Sequence, residues 1–317
     1  MSIAFNPTSE QRQIVDAMRQ ALAGTFPATP LATLAELGAF GLAAPEAVGG
    51  TGATLVEETL LFTELGRFLA PPSALATALA AHLALSADQA GLARDFVAGT
   101  RTACLAHPLP GAQAQLLDAD GASHALLWDD EGMTLLSLEG VEREAVTGMD
   151  RSVSLHRCAL SAAHVEARGT RLLPEAHLLN AAMLLGMAEA TLAMAVDYAK
   201  LRTQFGQPIG AFQAVKHRCA NMALRVEALG AQVAMAALAV RDGWSDARLQ
   251  VDACRMLATR AALANARDNI QVHGAFGFTA ECNAHRYLLR AHLHEHVGGS
   301  LERAVRRLTQ PTEKETV

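Results

Sequence analysis

The chain has 317 residues, of which 51% are hydrophobic and only 18% charged, with a formal net charge of -6. That balance excludes a disordered chain, and a mildly acidic protein lacks the broad basic surface that nucleic-acid backbones require. Five scattered cysteines, odd in number and without a CxxC pair, argue against a disulfide framework or a structural zinc site and predict free thiols, with no metal centre.

The apolar share is mostly Ala and Leu, which favours helices packed through small side chains. The opening MSIAFNPTSEQRQIV has no charged-then-apolar signal pattern. No apolar run reaches the roughly 18 uninterrupted residues of a spanning helix. A cytoplasmic protein without a membrane span is expected.

Residues 1–100 read as helical. Thr8 with Gln11 three positions on forms a capping box, followed by Ile14, Val15 and Met18 at helical spacing. Further helices are predicted over Leu31–Leu37, around Val56, Leu60, Leu61 and Leu65, over Ala74–Leu85 and over Leu92–Val97. Glu57, Glu58 and Glu64 fall on other faces of the second of these. Gly66 and Pro71-Pro72 punctuate its end.

Residues 101–170 change character. Short runs at Thr102–Ala106, His124–Trp128, Met133–Leu138 and Ser152–Leu155 read as strands, separated by Gly, Pro and Asp. A β unit of this size must lean on its neighbours for burial. Residues 171–317 return to helix. Pro174 and Glu175 suit a first turn, and long helices are predicted to Arg202, over Phe212–Val240 and from Asp246 to about Val272. Shorter ones follow over Ala280–His292 and Leu301–Leu308, before a polar, frayed tail from Thr309. Three long helices with short connections are the pattern of an antiparallel bundle.

Two segments carry chemistry. Leu201-Arg202-Thr203-Gln204-Phe205-Gly206-Gln207-Pro208 joins two long helices. Its arginine offers a rigid donor fork suited to phosphate oxygens, and Gln213 starts the next helix nearby. The second is Gln271-Val272-His273-Gly274-Ala275-Phe276-Gly277-Phe278. Both resemble the flavin-binding signatures of the acyl-CoA dehydrogenase family. Leu34-Ala35-Glu36-Leu37-Gly38, Gly41-Leu42, Pro45-Glu46, Gly49-Gly50 and Glu64-Leu65-Gly66 resemble its early motifs in the right order. The resemblance implies a mainly α, acyl-CoA dehydrogenase-like fold: an N-terminal helical domain (1–100), a small, reduced middle β domain (101–170) and a C-terminal helical bundle (171–317).

It further implies FAD as cofactor, with Arg202, Phe205, Gln213, Gln271 and Gly274 as its contacts across a dimer interface. Each residue also has a plainer reading. Arg202 could be a solvated helix-end cation, Phe205 a core aromatic, and Gln213 and Gln271 ordinary helix-end amides. Gly274 could allow close helix packing. Ala275 stands where many relatives have a second glycine and restricts positive φ. His273 reads as a satisfied interface histidine, and Trp128 as core.

The chain departs from the family elsewhere. His107, in Leu105-Ala106-His107-Pro108-Leu109-Pro110-Gly111, stands where relatives carry an acid. Desaturation of an acyl thioester needs a carboxylate base beside the α-carbon while hydride leaves for the flavin. The two positions the family uses are Gly298, in Val297-Gly298-Gly299-Ser300, and Ala176. Neither can accept a proton. Glu295, beside His292, His294 and His296, and Glu175 are the nearest acids and weak candidates; Glu281 and Asp268 are weaker still.

Some members of the family are built from two different chains, one of which carries the acid. The resemblance therefore implies a subunit of an acyl-CoA dehydrogenase, at least dimeric, acting with a second, acid-bearing chain and an electron-accepting carrier on an acyl-CoA, steroid-derived or otherwise bulky. A non-catalytic CoA-ester-binding relative and a flavoenzyme with altered chemistry are the alternatives.

Overall fold

In a computed structural model, residues 7–26 and 29–309 are described; the first six residues of the opening MSIAFNPTSEQRQIV and the tail beyond Thr309 lie outside them. Five helices come first: α1 (Ser9–Ala23), α2 (Leu31–Glu36), α3 (Leu55–Arg67), α4 (Pro72–Ser86) and α5 (Ala90–Val97). The Thr8–Gln11 capping box opens α1, and Thr54 with Glu57 repeats the device at α3. Pro71-Pro72 starts α4 with Pro72 in its first turn, where the missing amide costs nothing.

Gly66 does not end a helix. It lies in the last turn of α3, where α6 (Leu173–Leu201) crosses. A Cβ on Gly66 would sit 2.0 Å from the Met183 carbonyl oxygen, and one on Gly186 1.8 Å from that of Thr63. The two backbones touch because both positions lack a side chain.

The α3 acids also depart from expectation. Glu58 and Glu64 are buried. Glu64 pairs with Arg19 at 2.8 Å and Arg67 at 3.1 Å, and Glu58 with His82 at 3.1 Å. Burial pulls His82 down, but the Glu58 charge and hydrogen bond outweigh it and raise its pKa.

A seven-stranded sheet follows, where the sequence reading found four strands. Its members are β1 (Ala103–Leu109), β2 (Gln113–Leu117), β3 (His124–Trp128), β4 (Met133–Ser137), β5 (Glu144–Val146), β6 (Leu155–Ala159) and β7 (His164–Gly169). The order is β5-β6-β2-β1-β3-β4-β7, antiparallel except for the β1–β3 pair, with Leu105 opposite both Leu117 and Leu126. The strand expected at Ser152–Leu155 begins only at Leu155.

Successive side chains alternate between faces. Ala103, Leu105, Leu126, Trp128, Met133 and Leu135 join the main core with the helices, while Cys104, Ala106, Ala125 and Leu136 build a separate outer core. The sheet thus does lean on its neighbours. Arg290 fastens the layers together: it donates to the Leu69 and Ala70 carbonyls, to Asp150 at 3.0 Å and to Ser152 Oγ.

The last part is a bundle of α6, α7 (Gln213–Arg241) and α8 (Ala247–His273), with α9 (Ala284–Glu295) and α10 (Leu301–Thr309) packed on it. The helix expected from Ala280 starts four residues later. α6 and α7 are each long and apolar enough, by length and composition, to cross a membrane, which counting uninterrupted runs overlooked. Most of the apolar window of α6 is buried inside this fold, but only 28% of that of α7 is. The five cysteines are free, four of them buried.

Candidate functional site

Arg202 caps α6, and the chain then forms a two-stranded hook, β8 (Thr203–Gln204) and β9 (Gln207–Pro208). Phe205 and Gly206 turn it with φ of 52° and 80°, the two positive values of a tight hairpin. Glycine adopts such a value freely; phenylalanine pays about 1–2 kcal/mol. The hook is anchored by backbone bonds from Arg202 N to Tyr198 O and from Ile209 N to Arg202 O, both 2.8 Å.

Phe205 is 92% exposed, with the Phe212 ring edge-on to it at a centroid distance of 6.1 Å. It is not a core aromatic. Among the described residues the Arg202 guanidinium has no hydrogen-bond or ion-pair partner, and Gln213, the first residue of α7, is exposed beside it. Strain and solvent exposure together at Phe205 are unexplained by packing within one chain.

The second glycine-rich segment meets the first. Tyr198, in the last turn of α6, stacks on His273, in the last turn of α8, with ring centroids 4.2 Å apart. His273 is buried and satisfied by the Asn269 carbonyl at 2.9 Å. Gln271 and Gly274 are exposed. Gly274 has φ 62° and ψ -143°, and a Cβ there would meet nothing within 4 Å. Its conformation, not close packing, asks for glycine. The packing glycine is Gly277, 2.8 Å from the Ile270 carbonyl oxygen by the same test. Ala275 is not among the residues with positive φ, so alanine there is unstrained. One end of the bundle therefore presents a free cation, the two amides Gln213 and Gln271, exposed aromatic rings and an open backbone, a set able to hold a phosphate-bearing aromatic ligand.

The second feature lies at the other end of α6. A cavity of about 600 Å³ opens between the sheet and α9, lined by residues that include His107, Trp128, Leu289, His292, His296 and Gly298. At its floor, Gly298 has φ 78°, and a Cβ on it would sit 2.5 Å from the Trp128 ring and 2.9 Å from His177. The two rings pack 5.0 Å apart. His177 is fully buried and its pKa lies well below the ordinary value, through burial and then the charges of Arg255, Arg248 and Arg307. Asp130 and Arg255 grip the same turn: Ser300 N donates to Asp130 at 2.8 Å, and Arg255 to the Gly298 carbonyl at 3.0 Å. The space a side chain at position 298 would need is filled.

The remaining acid positions do not supply a base to this cavity. Ala176 is buried. Glu175 lies outside the lining; burial raises its pKa, with His82 and Arg171 the nearest cations to oppose it. Glu295 also lies outside it and pairs with His292 Nδ1 at 3.1 Å, so only the imidazole reaches the cavity. Asp268 is spent on Arg218 and Arg225. Glu281 is exposed, next to Thr279. Among the described residues no group of three or more His, Cys, Asp or Glu is placed to hold a metal.

The two features are far apart. From His177 to Arg202 is 25 residues along α6, roughly 37 Å at 1.5 Å per residue. Sequence reasoning found the hook but missed the Trp128–His177 floor. The only available signal was the Gly298-Gly299 pair, both of which have positive φ.

The acyl-CoA dehydrogenase N-terminal domain model matches residues 8–91, and the acyl-CoA dehydrogenase C-terminal domain model residues 168–310. The chain is 37% identical over 300 residues to acyl-CoA dehydrogenase FadE34 of Mycobacterium tuberculosis, covering 89% of this chain but only 42% of that protein. It thus spans less than half the length of FadE34. It is 32% identical over 263 residues to acyl-CoA dehydrogenase IpdE2 of the same organism, covering 81% of this chain and 78% of that one. Among solved structures, a variant of the Tcur3481-Tcur3483 steroid ACAD superposes with a TM-score of 0.78 at 26% identity, over 94% of this chain and 96% of that chain. The ChsE4-ChsE5 complex from Mycobacterium tuberculosis does so with 0.81 at 22% identity, over 98% and 100%, a likeness of fold.

Proposed function

The chain belongs to the acyl-CoA dehydrogenase family, and on that premise we propose that it is a flavoprotein subunit of an acyl-CoA dehydrogenase whose proton-accepting acid comes from a different chain. Its domain plan is 1–100, 101–170 and 171–317. The observation that carries this reading is the exposed hook with Arg202 and Phe205, at the opposite end of α6 from His177 under the cavity floor, roughly 37 Å along the helix. Residues so separated serve one cofactor only when two chains meet, each giving one half of the site.

The residues present fit FAD. Arg202 is free to meet a diphosphate, Gln213 and Gln271 to bond its oxygens or ribityl chain, and Gly274 to let the ligand approach the backbone, while Phe205 offers an exposed ring face. When bound, FAD supplies the hydride acceptor. This chain's residues hold and orient it; they move no proton from the substrate, because Gly298 and Ala176 carry no acceptor. Electrons then pass to a carrier protein. The steroid dehydrogenase among the similar structures supports a steroid-derived or other bulky acyl-CoA as substrate.

Arg202→Ala is expected to leave the helical fold intact and weaken FAD retention. Loss of one charged hydrogen-bonding partner is worth about 1.5–3 kcal/mol, roughly ten- to a hundredfold in affinity. Flavin titration of the assembled protein decides it; unchanged affinity returns Arg202 to the role of a solvated surface cation. The closed floor at Gly298 favours the second reading, a non-catalytic relative that binds CoA esters. A purified complex that shows no flavin absorption spectrum yet binds a CoA ester would favour that reading.

Assembly is expected as well. α7 is poorly buried in one chain, and Leu201, Leu224 and Phe278 stand 81%, 67% and 73% exposed. Light scattering should show a dimer or larger symmetric assembly, with itself or with a paired chain. A stable monomer holding FAD stoichiometrically would contradict this layout.

A further inference from the structure

We propose that the cavity between β1, β2 and α9 is a binding site for an apolar monoanion, a rigid hydrocarbon body ending in a carboxylate or sulfonate. This rests on the reading that the chain's flavin contacts act in the partner's site, which leaves its own cavity to another ligand.

The cavity's size, about 600 Å³, lies within the range of small-molecule sites. Its walls are hydrocarbon: Leu105, Leu117, Val153, Leu155, Leu289 and Leu293. Such walls reward an apolar body by the area they remove from water. The polar lining is concentrated in three imidazoles. β1 contributes His107, and α9 contributes His292 and His296.

The other charged groups nearby are committed. Asp150, from the loop before β6, accepts from Arg290 and from Ser152; burial works against its ionisation, but the Arg290 charge and these bonds prevail and hold its pKa below the ordinary value. Glu295 pairs with His292 behind the wall. β2 offers only neutral Gln115, and the floor only Trp128 and a neutral His177 behind it. Among the described residues no uncommitted carboxylate lines the space.

His107 and His296 lie close enough to interact. Burial lowers the pKa of His107 first, and the charge of His296 lowers it further. An anion lodged against them removes that repulsion and gains charge-assisted hydrogen bonds. By linkage, proton and anion bind together at His107: affinity rises as pH falls and fades as that ring loses its proton.

The test compares two fluorescent probes with the same rings, anilinonaphthalene sulfonate and N-phenyl-naphthylamine, which lacks the sulfonate. Both should bind the purified chain. The sulfonate should bind about ten- to a hundredfold tighter near pH 5.5 than near pH 8, while the neutral probe shows no such trend. The rim double variant His107→Gln/His296→Gln alters exposed side chains, so it should fold; it should abolish the pH trend and keep the neutral probe. Leu289→Trp should exclude both probes.

Equal pH behaviour of the two probes, a sulfonate trend that survives the double variant, or probes indifferent to a folded Leu289→Trp each overturn the proposal. So does stoichiometric displacement of the sulfonate by FAD, which would make this cavity a flavin seat. Flavin titration of Arg202→Ala tests the hook separately, so failure of one reading is not mistaken for failure of the other.

Discussion

Copurified with its acid-bearing partner and loaded with FAD, the protein carrying Glu295→Gln or Glu175→Gln should oxidise acyl-CoA at the wild-type rate. This chain expressed alone should reduce no ferricenium in the presence of acyl-CoA, even with flavin bound. A catalytic base contributes about 10²–10⁴-fold in rate, so the outcomes lie far apart. Glutamine keeps the volume and most hydrogen bonding of glutamate but cannot take up a proton as a carboxylate does. The geometry argues for no effect: Glu295 is turned to His292 and Glu175 lies outside the cavity lining. A loss on the catalytic scale in a folded, flavin-loaded variant would place the base in this chain and overturn the subunit assignment.

Restoring an acid to the empty family position should fail in a specific way. Gly298→Glu must place a Cβ 2.5 Å from the Trp128 ring at φ 78°. Overpacking costs about 1–3 kcal/mol and the left-handed backbone a further 1–2 kcal/mol or so, a loss of about 2–5 kcal/mol in urea denaturation. Trp128→Ala is itself destabilising, yet Gly298→Glu should cost less in that background, a coupling that a double-mutant cycle reads directly. A singly substituted Gly298→Glu protein of wild-type stability that turns over acyl-CoA alone would show that the floor yields, and that one residue separates the chain from self-sufficiency.

Much of the architecture was legible because local signals agreed. The Thr8–Gln11 box, Pro174 and the glycines of the two flavin-like segments each act within a turn of their own position. The hook's residues could be picked out for the same reason, although their lack of partners could not. Three of the strands were missed because Gln113–Leu117, Glu144–Val146 and His164–Gly169 are short and carry polar residues, so alternation has little room to register. The buried charges of α3 were misread because their partners, Arg19 and His82, come from other helices. The closed floor is the extreme case: Trp128, His177 and Gly298 meet only through the tertiary fold, and nothing near any of them announces the other two.

The distance between hook and cavity has a genetic consequence. If each cofactor place is assembled from the hook of one subunit and the cavity of another, lesions in the two regions damage different places in the same particle. An allele defective at Arg202 and an allele defective in the cavity of the chain that seats the flavin ring would each be null by themselves. Mixed in one cell, they could rescue each other, since some particles would bring an intact hook against an intact cavity. Once two diverged genes supply the subunits, the same logic lets each gene shed the half it no longer uses. The glycine at 298, with a tryptophan settled over it, is what such a shed half looks like.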